Sequence, residues 1–330
     1  MTYFKLYANV VPVKGAKRFI ICDLQRQNYH YIPEEMYELL IHYSDKTIEE
    51  LKTIYISYED DIIDEYVKFL IDKEYGFITA EPENFPSIDL KFELPERINN
   101  AIVDVNWDSD HDFYDIFNQL DDLDCKNLEI RFYDIVTFDS LAKILKSTTG
   151  KRFKNISVYL KFYPDIAKGI EQFFFANSFG NIGIIFVHSA DETKYETVSL
   201  TDICYSKHII SSADCCGIIS KKYFNINLPT YLEGLHYNTC LNKKIGIDVH
   251  GNIKNCPSMV KSFGDIKSMP LGSVIENEVF KKPWGITKDQ IEICKDCQFR
   301  YICTDCRAFV SDNYQKPYKC SYDPYLDIWN

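Results

Sequence analysis

Cysteine spacing constrains this chain more than any other feature. Cys240 and Cys256 bracket Gly251 as C-x10-G-x4-C; Cys294, Cys297, Cys303 and Cys306 follow as C-x2-C-x5-C-x2-C; Cys320 closes the series. Thiolates two residues apart can converge on one tetrahedral ion or one iron–sulfur cube. A single C-x2-C says little. Two of them five residues apart, with three flanking cysteines, point to a metal site. The inner run alone could wrap one zinc ion as a four-thiolate site. Zinc leaves the flanking cysteines less well explained, so it stands as the alternative to iron–sulfur clusters. His236 and His250 lie near the ladder, but a histidine in a turn more often faces solvent than a metal.

The remaining composition narrows the class. The chain has 330 residues, enough for two or three domains, and 46% hydrophobic residues, as globular proteins have. A net charge of −12 spread along the chain argues against a nucleic-acid surface. No run approaches the roughly 18 apolar residues of a membrane span. The first residues carry no signal-peptide pattern, so a cytoplasmic protein is expected. Thiols stay reduced there, which favours metal ligation over disulfides.

Along the chain, residues 1–80 read as a winged-helix pattern. Strands at Tyr3–Val10, Arg18–Asp23 and Tyr29–Ile32 are followed by a helix over Glu34–Tyr43 that Pro33 introduces. A second helix is opened by a Thr47–Glu50 capping box, and a third runs from Asp60 to Tyr75 and is ended by Gly76. Residues 81–97 read as a linker. Residues 98–212 alternate strand and helix: Ile102–Val105, His111–Leu123, Leu128–Phe132, Phe138–Ser147, Ile156–Phe162, Asp165–Asn177 and Ile182–His188, with a less clear continuation over Ile203–Ile210. This implies an α/β fold with a parallel sheet, as a partial barrel or open sheet, since four units are too few for an eight-fold barrel. Residues 213–330 read as irregular and metal-dominated, with a hairpin turn at His250-Gly251 bringing Cys256 back toward Cys240.

The stretches NTCLNKKIGIDVHGNIKNCPSM (238–259), KDQIEICKDCQFRYICTDCRAF (288–309) and KPYKCSYDPY (316–325) resemble the SPASM domain, the auxiliary iron–sulfur region of radical S-adenosylmethionine peptide-modifying enzymes. Among these they look closest to the peptide maturase of grasp-with-spasm systems. The N-terminal unit is similar to the PqqD-type RiPP recognition element, a winged helix that binds leader peptides. The resemblance implies a ribosomally made precursor peptide and an ATP-grasp ligase as partners; the charge and the lack of a long apolar run already lead us to expect no nucleic acid and no membrane. It also implies two [4Fe–4S] clusters. Cys294, Cys297, Cys303 and Cys320 would hold one, and Cys240, Cys256 and Cys306 the other, with Cys216 preferred over Cys215 as fourth ligand or that iron left open. Where this family commonly has C-x3-C, the present run ends Cys303-x2-Cys306.

One departure decides the expected chemistry. The radical family needs C-x3-C-x2-C after the first barrel strand. Here Ala101–Asn106 leads into Trp107-Asp108-Ser109-Asp110, and Cys125 is the lone cysteine between 81 and 200. A lone thiol cannot hold that cluster, so the middle domain looks like a degenerate barrel. Three roles follow: a non-radical adaptor, a redox enzyme using its auxiliary clusters, and a zinc-stabilised interaction protein. Cys22, Cys125 and Cys204 are expected to be structural. Asp104 and Asp108, at the first strand's end, are read as a polar rim in preference to an acid and base. Arg131 could bind a carboxylate or pair with a neighbouring aspartate. The tyrosines at 3, 7, 29 and 31 are read as sheet packing, with the edge strand as a place for peptide addition. Neither a phosphate-binding loop nor a G-x-S-x-G elbow is present.

Overall fold

The computed structural model describes residues 1–55, 61–177 and 179–330. The chain opens with β1 (Tyr3–Leu6), β2 (Val10–Lys14), β3 (Phe19–Asp23) and β4 (Asn28–Ile32), then α1 (Glu34–His42), α2 (Ile48–Ile54), α3 (Ile62–Asp72) and β5 (Gly76–Thr79). The single strand expected over Tyr3–Val10 is two. The chain turns at Ala8-Asn9, with the Val10 N–H donating to the Tyr7 carbonyl at 2.9 Å, so β1 pairs with β5 and β2-β3-β4 form a separate antiparallel sheet. The Thr47–Glu50 capping box forms as expected. Asp60, the expected start of α3, lies outside the described residues. Gly76 does not end that helix; it begins β5, where a Cβ would come within 2.3 Å of the Lys5 carbonyl oxygen.

All five residues of β3 are buried, because its sheet is covered on both faces. Phe19 and Ile21 face α1 and α3 with Met36, Leu39 and Leu70. Ile20 and Cys22 face the other way, against Phe299, Ile302, Tyr231 and Tyr322 of the cysteine-rich region. Alternating side chains thus seat the N-terminal unit on the C-terminal one.

Apart from a short turn at Pro82–Asn84, residues 81–99 contain no helix or strand. The central layer alternates β6 (Asn100–Val105), α4 (Phe113–Asp122), β7 (Asn127–Phe132), α5 (Phe138–Lys146), β8 (Asn155–Lys161), α6 (Ile166–Ala176) and β9 (Ile182–His188), close to the expected bounds. β10 (Lys194–Val198) and β11 (Thr201–Tyr205) follow. Then come α7 (Leu228–His236), β12 (Lys244–Ile247), β13 (Ile253–Lys254), α8 (Leu271–Ile275), α9 (Glu278–Lys281) and the small hairpin β14 (Tyr322–Asp323) and β15 (Ile328–Trp329). Among the described residues the central sheet has eight strands in the order β10-β11-β9-β8-β7-β6-β12-β13. It is an α/β fold with an open, partial-barrel-like sheet, parallel from β11 to β12 and antiparallel at both edges. The C-terminal region is less irregular than expected, since it supplies α7, capped by Asn227, and two strands of this sheet. No described helix is long and apolar enough to cross a membrane.

The two faces of the parallel strands differ. Ala101, Val103, Leu128, Ile130, Ile156 and Val158 bury themselves under the helices with Phe117, Leu120, Leu141 and Phe173. The opposite face carries rows set by register: Asn100, Asn127 and Asn155; Ile102, Glu129 and Ser157; Asp104, Arg131 and Tyr159. A parallel sheet covered on both faces usually reads as continuous apolar strands, so this polar face marks a lined interior turned toward the cysteines.

Candidate metal centre

The hairpin expected around His250-Gly251 forms. β12 and β13 pair antiparallel, and Gly251, at φ +86, takes the left-handed position of the turn. Asp248 ties the turn together: its Oδ1 accepts from the His250 and Asn252 N–H groups at 3.0 and 2.9 Å. Lys254 Nζ lies 2.8 Å from Asp248 Oδ2. After the turn Pro257 crosses β12 closely, and a Cβ on Gly246 would meet its Cδ at 2.4 Å. The return therefore carries Cys256 back toward Cys240.

The eight candidate thiols fall into two neighbourhoods. Cys216, Cys256 and Cys306 each perturb Cys240 electrostatically, Cys256 perturbs Cys216, and both of these perturb Cys306. Separately, Cys294, Cys303 and Cys320 perturb Cys297, and Cys320 perturbs Cys303. Cys215 does not join the first group; its sulfur lies 3.6 Å from the Ile209 carbonyl oxygen. Cys216 is exposed as a residue, yet burial raises the pKa of its thiol, because the sulfur is turned into the protein. Burial pushes Cys240 and Cys294 up to about 12 and Cys303 up to about 11. Lys244 opposes the shift at Cys240, and Lys288 opposes it at Cys294 and Cys303. Ligation here would release protons, because metals bind the thiolate.

Among the described residues no three His, Cys, Asp or Glu side chains are placed tightly enough to hold one metal ion. Each ligand of a cube binds a different iron, so its sulfurs stand farther apart than those around a single ion. The donor sets fit such a group in two respects. Each contains four cysteines whose sulfurs act on one another. The lining is also cut close: at Gly217, φ +85, a Cβ would lie 2.8 Å from Cys306 Sγ.

Buried polar side chains brace the loops. Asn238 Oδ1 accepts from the Cys240 and Leu241 N–H groups at 3.0 and 2.9 Å, and its Nδ2 donates to Asp305 Oδ2 at 2.8 Å. Asp305 lies between Cys303 and Cys306, so one amide spans both neighbourhoods. Arg307 Nε lies 2.9 Å from Asp305 Oδ1, off the hydrogen-bonding direction, and Nη1 donates to the Asn313 and Gln315 carbonyls at 2.9 and 2.8 Å. The β2–β3 turn grips the other loop. The Ala16 N–H donates to the Asp296 carbonyl at 2.7 Å, and Arg300 donates to the Lys14 carbonyl. A Cβ on Gly15 would lie 2.8 Å from the Gln298 nitrogen.

The other candidates resolve differently. Asp104 is not a solvated rim. Only 1% exposed, it accepts from Arg131 Nε at 2.6 Å and from the Tyr133 hydroxyl at 2.6 Å. Arg131 thus takes the aspartate-pairing option. Asp104 lines a cavity of about 450 Å3 at the strands' C-terminal ends that reaches Trp107 and Lys161, and a second cavity, of about 300 Å3, is bounded by Asn127, Glu129, Lys244 and Cys240. His236 Nε2 is engaged with the Leu90 carbonyl at 2.7 Å, and His250 is exposed. Cys22, Cys125 and Cys204 are buried in apolar cores or sheet. Tyr29 and Tyr31 pack on each other and on Phe299, and Tyr7 on Phe77. Glu129 and Lys244 were not singled out from sequence. Their signal was available: polar residues alternating with apolar ones in strands of a parallel sheet.

No family model and no curated protein matches the chain. Among solved structures it is similar to Streptococcus suis SuiB bound to S-adenosylmethionine, with a TM-score of 0.42 and 11% identity over 96% of this chain and 99% of that chain. It is also similar to a second structure of Streptococcus suis SuiB, with a TM-score of 0.40 and 11% identity over 95% of this chain and 98% of that one.

Proposed function

We propose that this chain matures a ribosomally made precursor peptide together with an ATP-grasp ligase, as a non-radical adaptor in the manner of grasp-with-spasm maturases. Residues 1–80 would bind the leader peptide, 81–97 link, 98–212 form the degenerate barrel, and 213–330 form the SPASM domain. Cys294, Cys297, Cys303 and Cys320 would hold one [4Fe–4S] cluster, and Cys216, Cys240, Cys256 and Cys306 the other. What supports the cluster part of this reading is that Cys216, Cys256 and Cys306 act electrostatically on Cys240, and Cys294, Cys303 and Cys320 on Cys297. When bound, such clusters supply electron transfer or a Lewis-acidic iron. The chain's own residues brace the loops, exclude water and carry compensating charge.

Two features support an adaptor. The end of β6 offers Asn106, Trp107 and Asp108 where a cofactor cluster would need thiolates. Asp104, the nearest carboxylate on that strand, is already spent on Arg131 and Tyr133. For the leader, the outer edge of β4 has no strand neighbour among the described residues, which suits strand addition. One observation favours the redox-enzyme reading: Cys240 forms part of the wall of the 300 Å3 cavity. Mass spectrometry of a precursor co-expressed with the ligase and this protein separates the two. Products lighter only by water support the adaptor; loss of two hydrogens per modification contradicts it.

A further inference from the structure

Two lysines adjacent in sequence are sent to opposite sides at the start of β12. Lys243 adopts φ +48, a left-handed conformation that costs a non-glycine residue energy. Its ammonium is held by the linker, donating to the Glu96 carbonyl at 2.8 Å and to the Leu94 carbonyl. Lys244 then enters the sheet in register with Asn100, on the polar face. Its Nζ lies 3.6 Å from Cys240 Sγ. Among the described residues no carboxylate forms an ion pair with it within 4 Å; Glu129, its neighbour across the cavity, sits 3.6 Å from Arg131 Nε instead. Lys288 near the other group differs, because its ammonium donates to the Cys303 carbonyl and not to a sulfur.

Placing a buried ammonium without a carboxylate is costly unless another anion faces it. Here the facing groups are sulfurs. We infer that Lys244 is the fixed cation of the Cys216, Cys240, Cys256 and Cys306 site, a positioning residue that raises the reduction potential of the cluster held there. This rests on the cluster reading above. Reduction adds a negative charge to a cluster, and a cation beside a ligand sulfur favours the more negative state. Lysine suits the role as a compact point charge on a flexible stem. Lys244→Met keeps most of the stem and removes the charge; Lys244→Arg keeps the charge.

The test is potentiometric titration of anaerobically purified protein, followed by electron paramagnetic resonance, with iron and sulfide measured on every sample. Lys244→Met is expected to move one of two midpoints to more negative potential and leave the other in place. Lys244→Arg is expected to hold both near the wild-type values. Loss of one cluster in Lys244→Met but not in Lys244→Arg would support the same requirement for charge. Unmoved midpoints in Lys244→Met, or loss of the cluster in both variants, would overturn the inference and leave Lys244 a packing residue. Wild-type protein without sulfide would overturn the cluster reading itself, and the inference with it.

Discussion

Asp23 shows how a single carboxylate organises the N-terminal unit. It is fully buried at the end of β3. Its Oδ1 accepts from the Gln25 and Arg26 N–H groups at 2.9 and 2.8 Å and from Asn9 Nδ2 at 3.0 Å, and Arg26 Nη1 lies 2.9 Å from Oδ2. Burial works against the charge, but these bonds outweigh it and hold the carboxyl below the ordinary aspartate value. A depressed folded-state pKa stabilises above the unfolded value of about 3.9 and loses that contribution as pH falls through the folded value. Wild-type stability should therefore fall steeply below about pH 4 in denaturant titrations. Asp23→Asn should lower stability at neutral pH and flatten that slope; an unchanged slope would show that other carboxylates carry it. At this scale the sequence was partly legible. The Thr47–Glu50 box was readable because its meaning lies in spacing, and the candidate ligands were proposed from spacing in the same way. The pairing of Asp104 with Arg131, and the turn of Lys244 toward sulfur, depend on register between strands distant in sequence.

Among elements, the β2–β3 hairpin turn is the one whose contacts reach farthest. Its backbone lies against the Cys294–Cys297 loop, with the Ala16–Asp296 bond on one side and Gly15 against Gln298 on the other. Gly15 is required by this close approach, since a Cβ would also stand 2.6 Å from the Arg18 carbonyl oxygen. Gly15→Val should destabilise the chain by about 1–3 kcal/mol through overpacking. It should also speed proteolysis at the junction of the N-terminal unit. A variant with wild-type melting and digestion would show that the turn does not clamp the loop. The Lys14-Gly15 turn was legible as a turn, but nothing in local pattern said what it docks against. The β–α units of the central layer were read within a residue or two because helical and strand periods differ clearly there. The break at Ala8-Asn9 was missed because Tyr3–Val10 keeps an alternating pattern across it. β12's place beside β6 was missed because parallel pairing leaves no local signature.

For the whole molecule, the arrangement puts a peptide-sized sheet edge, a polar sheet interior and two thiol groups in one continuous structure. The interface of β2, β3 and β4 with Phe299 and Tyr322 joins the first to the last. The polar rows of β6, β7 and β8, with Lys244, line the way to Cys240. Metal binding would add to the hydrogen bonds and apolar contacts that hold the cysteine-rich region, because ligation turns its buried neutral thiols into metal-bound thiolates, one of them facing Lys244. Iron, acid-labile sulfide and zinc on protein purified without oxygen test this directly. About eight iron and eight sulfide per chain are expected, as two [4Fe–4S] clusters contain. About one or two zinc ions with no sulfide, as structural cysteine sites hold, would contradict the cluster reading.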